Sequence, residues 1–227
     1  MKKKKKVKKI NYRRVMFFIF LLFFLAFIVF SIFQIPLKNI YVYDNNILSD
    51  QEIIELSKLN NYPEIFKFRK NTIKERLEKN VYIKSATVER KKFSEVHIKV
   101  EENTPIFNIN YDNETVLSDG QKVSKFFNVP VLINYVPDVV FEEFRKSFSE
   151  LNSEALSKIS EIQYIPNEVD STRFLFYMTD GNHVLINNET MTELDNYIVI
   201  MENIITNFGN QKGTLHLDAG GYFTTFE

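Results

Sequence analysis

The sequence predicts an α+β chain with a single N-terminal transmembrane helix, and three observations carry that prediction. Residues 15–33 hold no charge at all. Beyond residue 35, runs that alternate apolar and polar residues at the strand period are interleaved with runs that repeat at the helix period. Two pairs of the strand-like runs flank Asp119-Gly120 and Asp180-Gly181, turn residues that join neighbouring antiparallel strands.

The uncharged run, VMFFIFLLFFLAFIVFSIF, has sixteen Val, Ile, Leu or Phe among its nineteen residues. As a helix rising ~1.5 Å per residue it would be roughly 28 Å long, close to the ~30 Å hydrocarbon core of a bilayer. At about 0.3–0.6 kcal/mol per central apolar residue, insertion is favoured by up to on the order of 5 to 10 kcal/mol. Ser31 can satisfy its hydroxyl on a carbonyl one turn back. A cleaved signal peptide has an apolar core of only ~7 to 15 residues and then a small-x-small site. Phe33-Gln34-Ile35-Pro36-Leu37 offers no such site, so the segment reads as an uncleaved anchor.

Nine cations precede the run, at positions 2–6, 8, 9, 13 and 14, and the single Lys38 follows it closely. Positive charge stays on the cytoplasmic side, so residues 1–14 are expected inside and everything past the span outside. A nucleic-acid arm is the rival reading of the lysines. Anionic headgroups a few residues away attract them at about 1 kcal/mol per cation, and topology already accounts for them.

Composition bounds the outer part. Lys and Arg balance Asp and Glu at 29 each, but nine of the cations lie in the first fourteen residues, leaving 20 against all 29 acids. An acidic exterior argues against nucleic acid as a partner, because phosphate binding needs clustered cations. There is no Cys, so the outer part is held by core packing alone, without disulfides, thiol chemistry or sulfur-ligated metal. Fourteen of the 22 Phe lie beyond the span, which suits one or two small cores.

Pro36 ends the membrane helix, since it lacks the donor a helix interior needs. Residues 37–43 alternate as a strand, with Ile40 and Val42 between Tyr41 and Tyr43, closed by Asp44-Asn45-Asn46. Ser49-Asp50-Gln51-Glu52 has capping-box spacing, and Ile53, Leu56 and Leu59 share one face of the helix behind it. Asn60-Asn61-Tyr62-Pro63 breaks that helix. Thr72-Ile73-Lys74-Glu75 repeats the capping-box spacing and is expected to start a second short helix, with Ile73 and Leu77 inward and a stop near Asn80. Residues 82–89 and 95–101 read as two strands joined as a hairpin by Arg90-Lys91-Lys92-Phe93-Ser94. Ile83, Ala86 and Val88 line the first, and Val96, Ile98 and Val100 face one way on the second.

This strand–helix–helix–strand–strand order, with Val81-Tyr82-Ile83-Lys84-Ser85-Ala86-Thr87-Val88-Glu89-Arg90 running into Val96-His97-Ile98-Lys99-Val100-Glu101-Glu102, resembles the POTRA domain of the FtsQ/DivIB cell-division proteins. Those proteins also have a basic cytoplasmic tail and one membrane helix just before the domain. The resemblance covers nearly the whole chain. It implies a cytoplasmic tail at 1–14, a transmembrane helix at 15–33, a POTRA domain at 35–103 and a β domain at 104–227. It also implies a bitopic, non-enzymatic component of the bacterial divisome.

In the second outer segment, residues 106–111, 115–117 and 121–123 read as strands about the Ser118-Asp119-Gly120 turn, and 130–133 as a short apolar strand. From Asp138, expected as an N-cap, Val140, Phe141, Phe144, Phe148 and Leu151 mark an amphipathic helix. Ser153 is expected to cap a further helical stretch carrying Leu156 and Ile159. Residues 162–165 form a strand ended by Pro166, and 173–179 with 183–187 a hairpin about Asp180-Gly181-Asn182. A long helix is expected over 192–208, burying Leu194, Tyr197, Ile198, Met201, Ile205 and Phe208, with Gly209 just past its end. Residues 213–218 and 222–226 close the chain as strands about Ala219-Gly220-Gly221. The result is a mixed α+β domain with an antiparallel-rich sheet.

This part is similar to the β domain of the same family, including Gly213-Thr214-Leu215-His216-Leu217-Asp218-Ala219-Gly220. In that family the terminal strands form the edge to which FtsB, called DivIC in Gram-positive bacteria, adds a strand. The resemblance thus implies FtsB/DivIC- and FtsL-type partners. The contacts it carries over are Leu215, Leu217, Ala219, Gly220, Tyr222 and Phe223. The polar tail many relatives carry and their longer cytoplasmic arm have no counterpart here, so contacts made by those parts are not carried over.

No catalytic, cofactor-binding or metal-binding residues are expected. His97, His183 and His216 lie in separate strand-like runs, without the paired spacing of a metal site. No nucleophile elbow, phosphate loop or dinucleotide fingerprint is present, so no small-molecule substrate is expected. Asp119 and Asp180 each precede Gly in a hairpin, where turn geometry explains them. Asn113-Glu114-Thr115 and Asn188-Glu189-Thr190 match the glycosylation sequon by coincidence. The Phe141, Phe144 and Phe148 stripe reads as core rather than a partner groove. A POTRA-bearing secretion or translocation component would repeat the module or attach it to a barrel, and neither is visible. An anchored cell-wall enzyme would need a cleft of convergent titratable groups.

Overall fold

The computed structural model describes residues 11–209 and 211–226. The chain divides into two units, Met1–Glu102 and Asn103–Glu227. The seven lysines at 2–9 of the expected cytoplasmic tail lie outside the described residues.

Helix α1 spans Tyr12–Phe33, starting three residues before the uncharged run. None of its residues is buried against protein, and among the described residues it is the one helix long and apolar enough to cross a membrane. The Ser31 hydroxyl donates to the Phe27 carbonyl at 2.9 Å. At its end the Gln34 and Ile35 amides bond the carbonyls three residues back, at 3.3 Å each. Such bonds tighten a last turn and satisfy its carbonyls; Pro36 then stops the helix.

Beyond α1 the first unit runs β1 (Asn39–Tyr43), α2 (Asp50–Ser57), α3 (Lys70–Leu77), β2 (Ile83–Lys91) and β3 (Glu95–Glu102). The sheet order is β1-β3-β2, with β1 parallel to β3 and β2 antiparallel to it. Val96, Ile98 and Val100 alternate inward and bury against Ile53, Ile73 and Leu77 from the two helices. The Ser49 capping box forms: its hydroxyl accepts the Glu52 N–H at 3.3 Å, and the Glu52 carboxylate accepts the Ser49 N–H at 2.8 Å. The second capping box does not. The cap falls three residues earlier, at Arg69, which makes no side-chain bond, so Thr72 already lies in the first turn. One contact was not legible in the sequence. The Glu102 carboxylate accepts the Asn46, Ile47 and Leu48 amides at 2.7, 2.7 and 3.0 Å and holds the turn after β1.

The second unit contains β4 (Pro105–Ile109), β5 (Glu114–Leu117), β6 (Lys122–Val123), β7 (Val131–Leu132), α4 (Asp138–Ser149), α5 (Ser153–Ser157), β8 (Ile159–Tyr164), β9 (Arg173–Met178), β10 (His183–Asn187), a 3-10 turn (Met191–Asn196), α6 (Tyr197–Phe208), β11 (Gly213–His216) and β12 (Tyr222–Thr225). They form one mixed sheet in the order β12-β11-β10-β9-β8-β7-β4-β5-β6. The β10–β11, β4–β7 and β7–β8 pairs are parallel and the rest antiparallel. The phenylalanines of α4 fill its core: Phe144 stacks on Phe174 at 4.3 Å, and Phe148 meets Phe107 edge-on at 5.6 Å.

Local signals misplace four positions here. Asp138 is the first helical residue and Pro137 holds the cap; the carboxylate still sits at the helix's positive end. Asn152, not Ser153, caps α5, accepting the Ala155 N–H at 2.8 Å. Ile159 opens β8 rather than continuing a helix. Ile205 is 46% exposed while Ile204 is buried. The 3-10 turn before α6 advances three residues per turn, so a stripe projected from Leu194 at 3.6 residues per turn drifts out of phase. The Phe208 side chain lies outside the described residues.

Candidate partner-binding edge

The last two strands are built on a close backbone approach. Gly213 opens β11, and a Cβ there would meet the Thr224 carbonyl oxygen at 2.1 Å and the Phe223 ring at 2.6 Å. Its N–H donates to the Oδ1 of buried Asn182 at 3.1 Å, tying β11 to the β9–β10 hairpin. β11 then pairs parallel with β10, Val184 opposite Leu215, and antiparallel with β12, Leu215 opposite Phe223 and His216 opposite Tyr222. The connecting turn closes with the Gly221 N–H on the His216 carbonyl at 2.9 Å, and Gly220 and Gly221 both have positive φ.

Strand alternation sorts the side chains. Leu215 and Leu217 are 2% and 3% exposed and belong to the core, and Phe223 packs against it half-buried. Ala219 and Gly220 are exposed in the turn. Tyr222, 49% exposed, stacks on His216 with centroids 4.3 Å apart and planes 7° apart. His216 Nε2 also lies 3.1 Å from the Thr224 hydroxyl. Farther along the same face His183 packs between Tyr177 and Phe226, at 4.8 and 4.7 Å. Burial holds its imidazole below the usual pKa, favouring the neutral ring.

The six residues carried over from the resemblance therefore fall together but not on one surface. Ala219, Gly220 and Tyr222 face out; Leu215, Leu217 and Phe223 face the core. β11 has a strand on each side. β12 is the terminal strand of the order, with β11 beside it and no further strand among the described residues. The aromatic and hydroxyl row of His216, Thr224 and Phe226 was not singled out from the sequence. The signal was there, since His216 lies out of phase with the leucines on either side. An ion pair with no sequence signal braces the turn: Arg173 Nε donates to Asp218 Oδ2 at 2.6 Å, from the start of β9 to the turn after β11.

Such an edge offers backbone donors and acceptors in a row, with outward side chains on alternate positions to choose the partner. The chain is similar to known proteins. The family described as "POTRA domain, FtsQ-type" matches residues 35–103. The chain is similar to the "Cell division protein DivIB" of Bacillus subtilis (strain 168), 28% identical over 198 residues, covering 84% of this chain and 74% of that one. It is also similar to the DivIB of Solibacillus silvestris (strain StLB046), 26% identical over 199 residues, covering 84% and 69%. Among solved structures, the major extracytoplasmic domain of DivIB from Geobacillus stearothermophilus matches 47% of this chain and 98% of that chain, at 22% identity and a TM-score of 0.39.

Proposed function

Since the chain is a cell-division protein of the FtsQ/DivIB family, we propose that it is a non-enzymatic scaffold that holds FtsB/DivIC- and FtsL-type partners at the division septum. Its tail faces the cytoplasm, α1 crosses the cytoplasmic membrane once, and a POTRA domain (35–103) and a β domain (104–227) stand outside. The partner adds a strand to β12, with Ala219, Gly220 and Tyr222 in contact and Leu215, Leu217 and Phe223 supporting the edge from beneath. Confinement of all members to one membrane raises their effective concentration, so a modest edge affinity is enough for assembly. Neither nucleic acid nor a small-molecule substrate enters the mechanism.

The observation that supports this reading is β12 itself, a terminal strand with exposed Tyr222 at the sheet margin. Deleting residues 213–227 is expected to abolish co-purification of the FtsL- and DivIC-type proteins from gently solubilised membranes, with septal localisation largely kept. That deletion also removes two core leucines. Tyr222→Lys is therefore the cleaner variant: unchanged circular dichroism, with partner recovery sharply reduced. Full recovery with both variants would move the partner site elsewhere on the protein.

A further inference from the structure

The chain leaving α1 is stitched to two loops of the first unit. The Leu37 N–H bonds the Pro63 carbonyl at 3.0 Å, the Ile65 N–H bonds the Ile35 carbonyl at 3.0 Å, and the Lys38 N–H bonds the Ser94 carbonyl at 2.9 Å. The loop between α2 and α3 and the turn between β2 and β3 are thereby held beside the residues that directly follow the helix. Each presents a phenylalanine to solvent: Phe66 is 42% exposed and Phe93 is 53% exposed. The Phe66 ring lies 4.7 Å from that of Phe33, the last residue of α1, and 6.0 Å from that of Phe93. Three rings thus form an apolar strip that continues off the end of the helix onto the folded unit.

Neither core packing nor turn preference explains Phe93. It and Lys92 sit at φ +59° and +42°, a backbone region that bulky residues rarely occupy and that a turn would ordinarily give to Gly or Asn. Charge follows the strip. Residues 62–70 and 90–95 hold six cations against two carboxylates, whereas the chain past residue 14 carries more acid than base. Both carboxylates are already matched, Glu64 with Lys67 at 2.7 Å and Glu95 with Lys92 at 3.7 Å. Arg90 lies over the Phe68 ring at 4.9 Å and donates to the Ile65 carbonyl, bracing one loop against the other.

We propose that this strip is a lipid-contact site. Phe66 and Phe93 seat at the boundary of headgroups and acyl chains in the leaflet where α1 emerges, and the surrounding Lys and Arg meet anionic phospholipid headgroups. Phenylalanine is among the apolar side chains that bury at that boundary, and basic side chains can lay their stems along it with the charge in the headgroups. The site docks the first unit on the bilayer instead of leaving it to swing on a single covalent tether. The inference rests on α1 being the membrane span, and the test separates the two.

The chain has no Trp, so one introduced indole reports alone. The full chain carrying Phe93→Trp, Phe66→Trp, Gln51→Trp or Phe24→Trp is reconstituted into phosphatidylcholine vesicles, with or without phosphatidylglycerol, in which part of the lipid is brominated. Phe93→Trp and Phe66→Trp are expected to emit blue-shifted light and to be quenched by bromine several-fold more than Gln51→Trp. Adding Arg69→Glu and Lys70→Glu should remove any extra quenching gained in anionic vesicles. Solvent-like, unquenched emission at 66 and 93 with Phe24→Trp quenched overturns the lipid site and leaves the span intact. Blue-shifted emission without bromine quenching also overturns it, because a protein surface would then cover the strip. Absence of quenching at Phe24→Trp overturns the span, and the lipid site with it.

Discussion

At the residue scale the terminal edge depends on an atom that is missing. Gly213 adopts no special φ; its lack of a side chain matters because the β12 backbone occupies the space where a Cβ would go. The Phe223 ring could swing aside, but the Thr224 carbonyl at 2.1 Å is main chain and moves only if the strand moves. Overpacking of this kind costs about 1–3 kcal/mol. Gly213→Ala is therefore expected to lower the thermal midpoint of the detergent-solubilised chain and to weaken partner recovery together. A stable variant with full recovery would show that β12 need not lie where it does. Gly220 gives the contrast: its φ is +95° and no atom lies near its missing Cβ, so it serves the turn and not the packing.

At the element scale the strands of the large sheet differ in what protects them. β9 has a neighbour on each side and buries Phe174 and Phe176 completely, whereas β12 has β11 alone and buries no side chain fully. Amide exchange follows such differences, with edges opening at a fraction of the global free energy. In the unbound chain the β12 amides should exchange fastest of the sheet strands of more than two residues, and adding the proposed DivIC-type partner should slow them selectively. Slowing confined to β1–β3 instead would place the partner on the other unit. The same elements show what the sequence could and could not tell. Alternation located Val96, Ile98 and Val100, and the i, i+3, i+7 stripe located Phe141, Phe144 and Phe148, because burial imposes a period that composition cannot hide. Helix starts were less legible. A cap is a matter of one residue's φ and ψ, and Thr72 and Ser153 had the right chemistry three places and one place from where the backbone turned. Strand order was not legible: the resemblance implied only that the terminal strands form an edge, and nothing local says that β11 lies between β10 and β12. The Arg173–Asp218 pair, 45 residues apart, had no local signature at all.

At the scale of the whole molecule, charge is partitioned along the chain more sharply than its zero balance suggests. Nine cations stand before the span, and past residue 14 acids exceed bases by 29 to 20. For insertion only the charges near the ends of the span count, and acids contribute little. The proposed orientation thus rests on the nine cations against Lys38, the loop cations farther on being folded into the first unit. Neutralising the lysines at 2–6 leaves four cations before the span against one after it, so the orientation should survive. Neutralising all nine leaves Lys38 as the nearest charge, and the bias reverses. Protease added to intact spheroplasts should therefore degrade the folded units of the parent and of the five-lysine variant, and leave a protected full-length fraction of the nine-cation variant. If the nine-cation variant were degraded as completely as the parent, orientation would have to come from elsewhere, with folding of the units outside the membrane as the remaining source. If the parent itself were protected, the edge and the strip would both face the cytoplasm, and a septal scaffold acting outside the membrane would have no surface to act with.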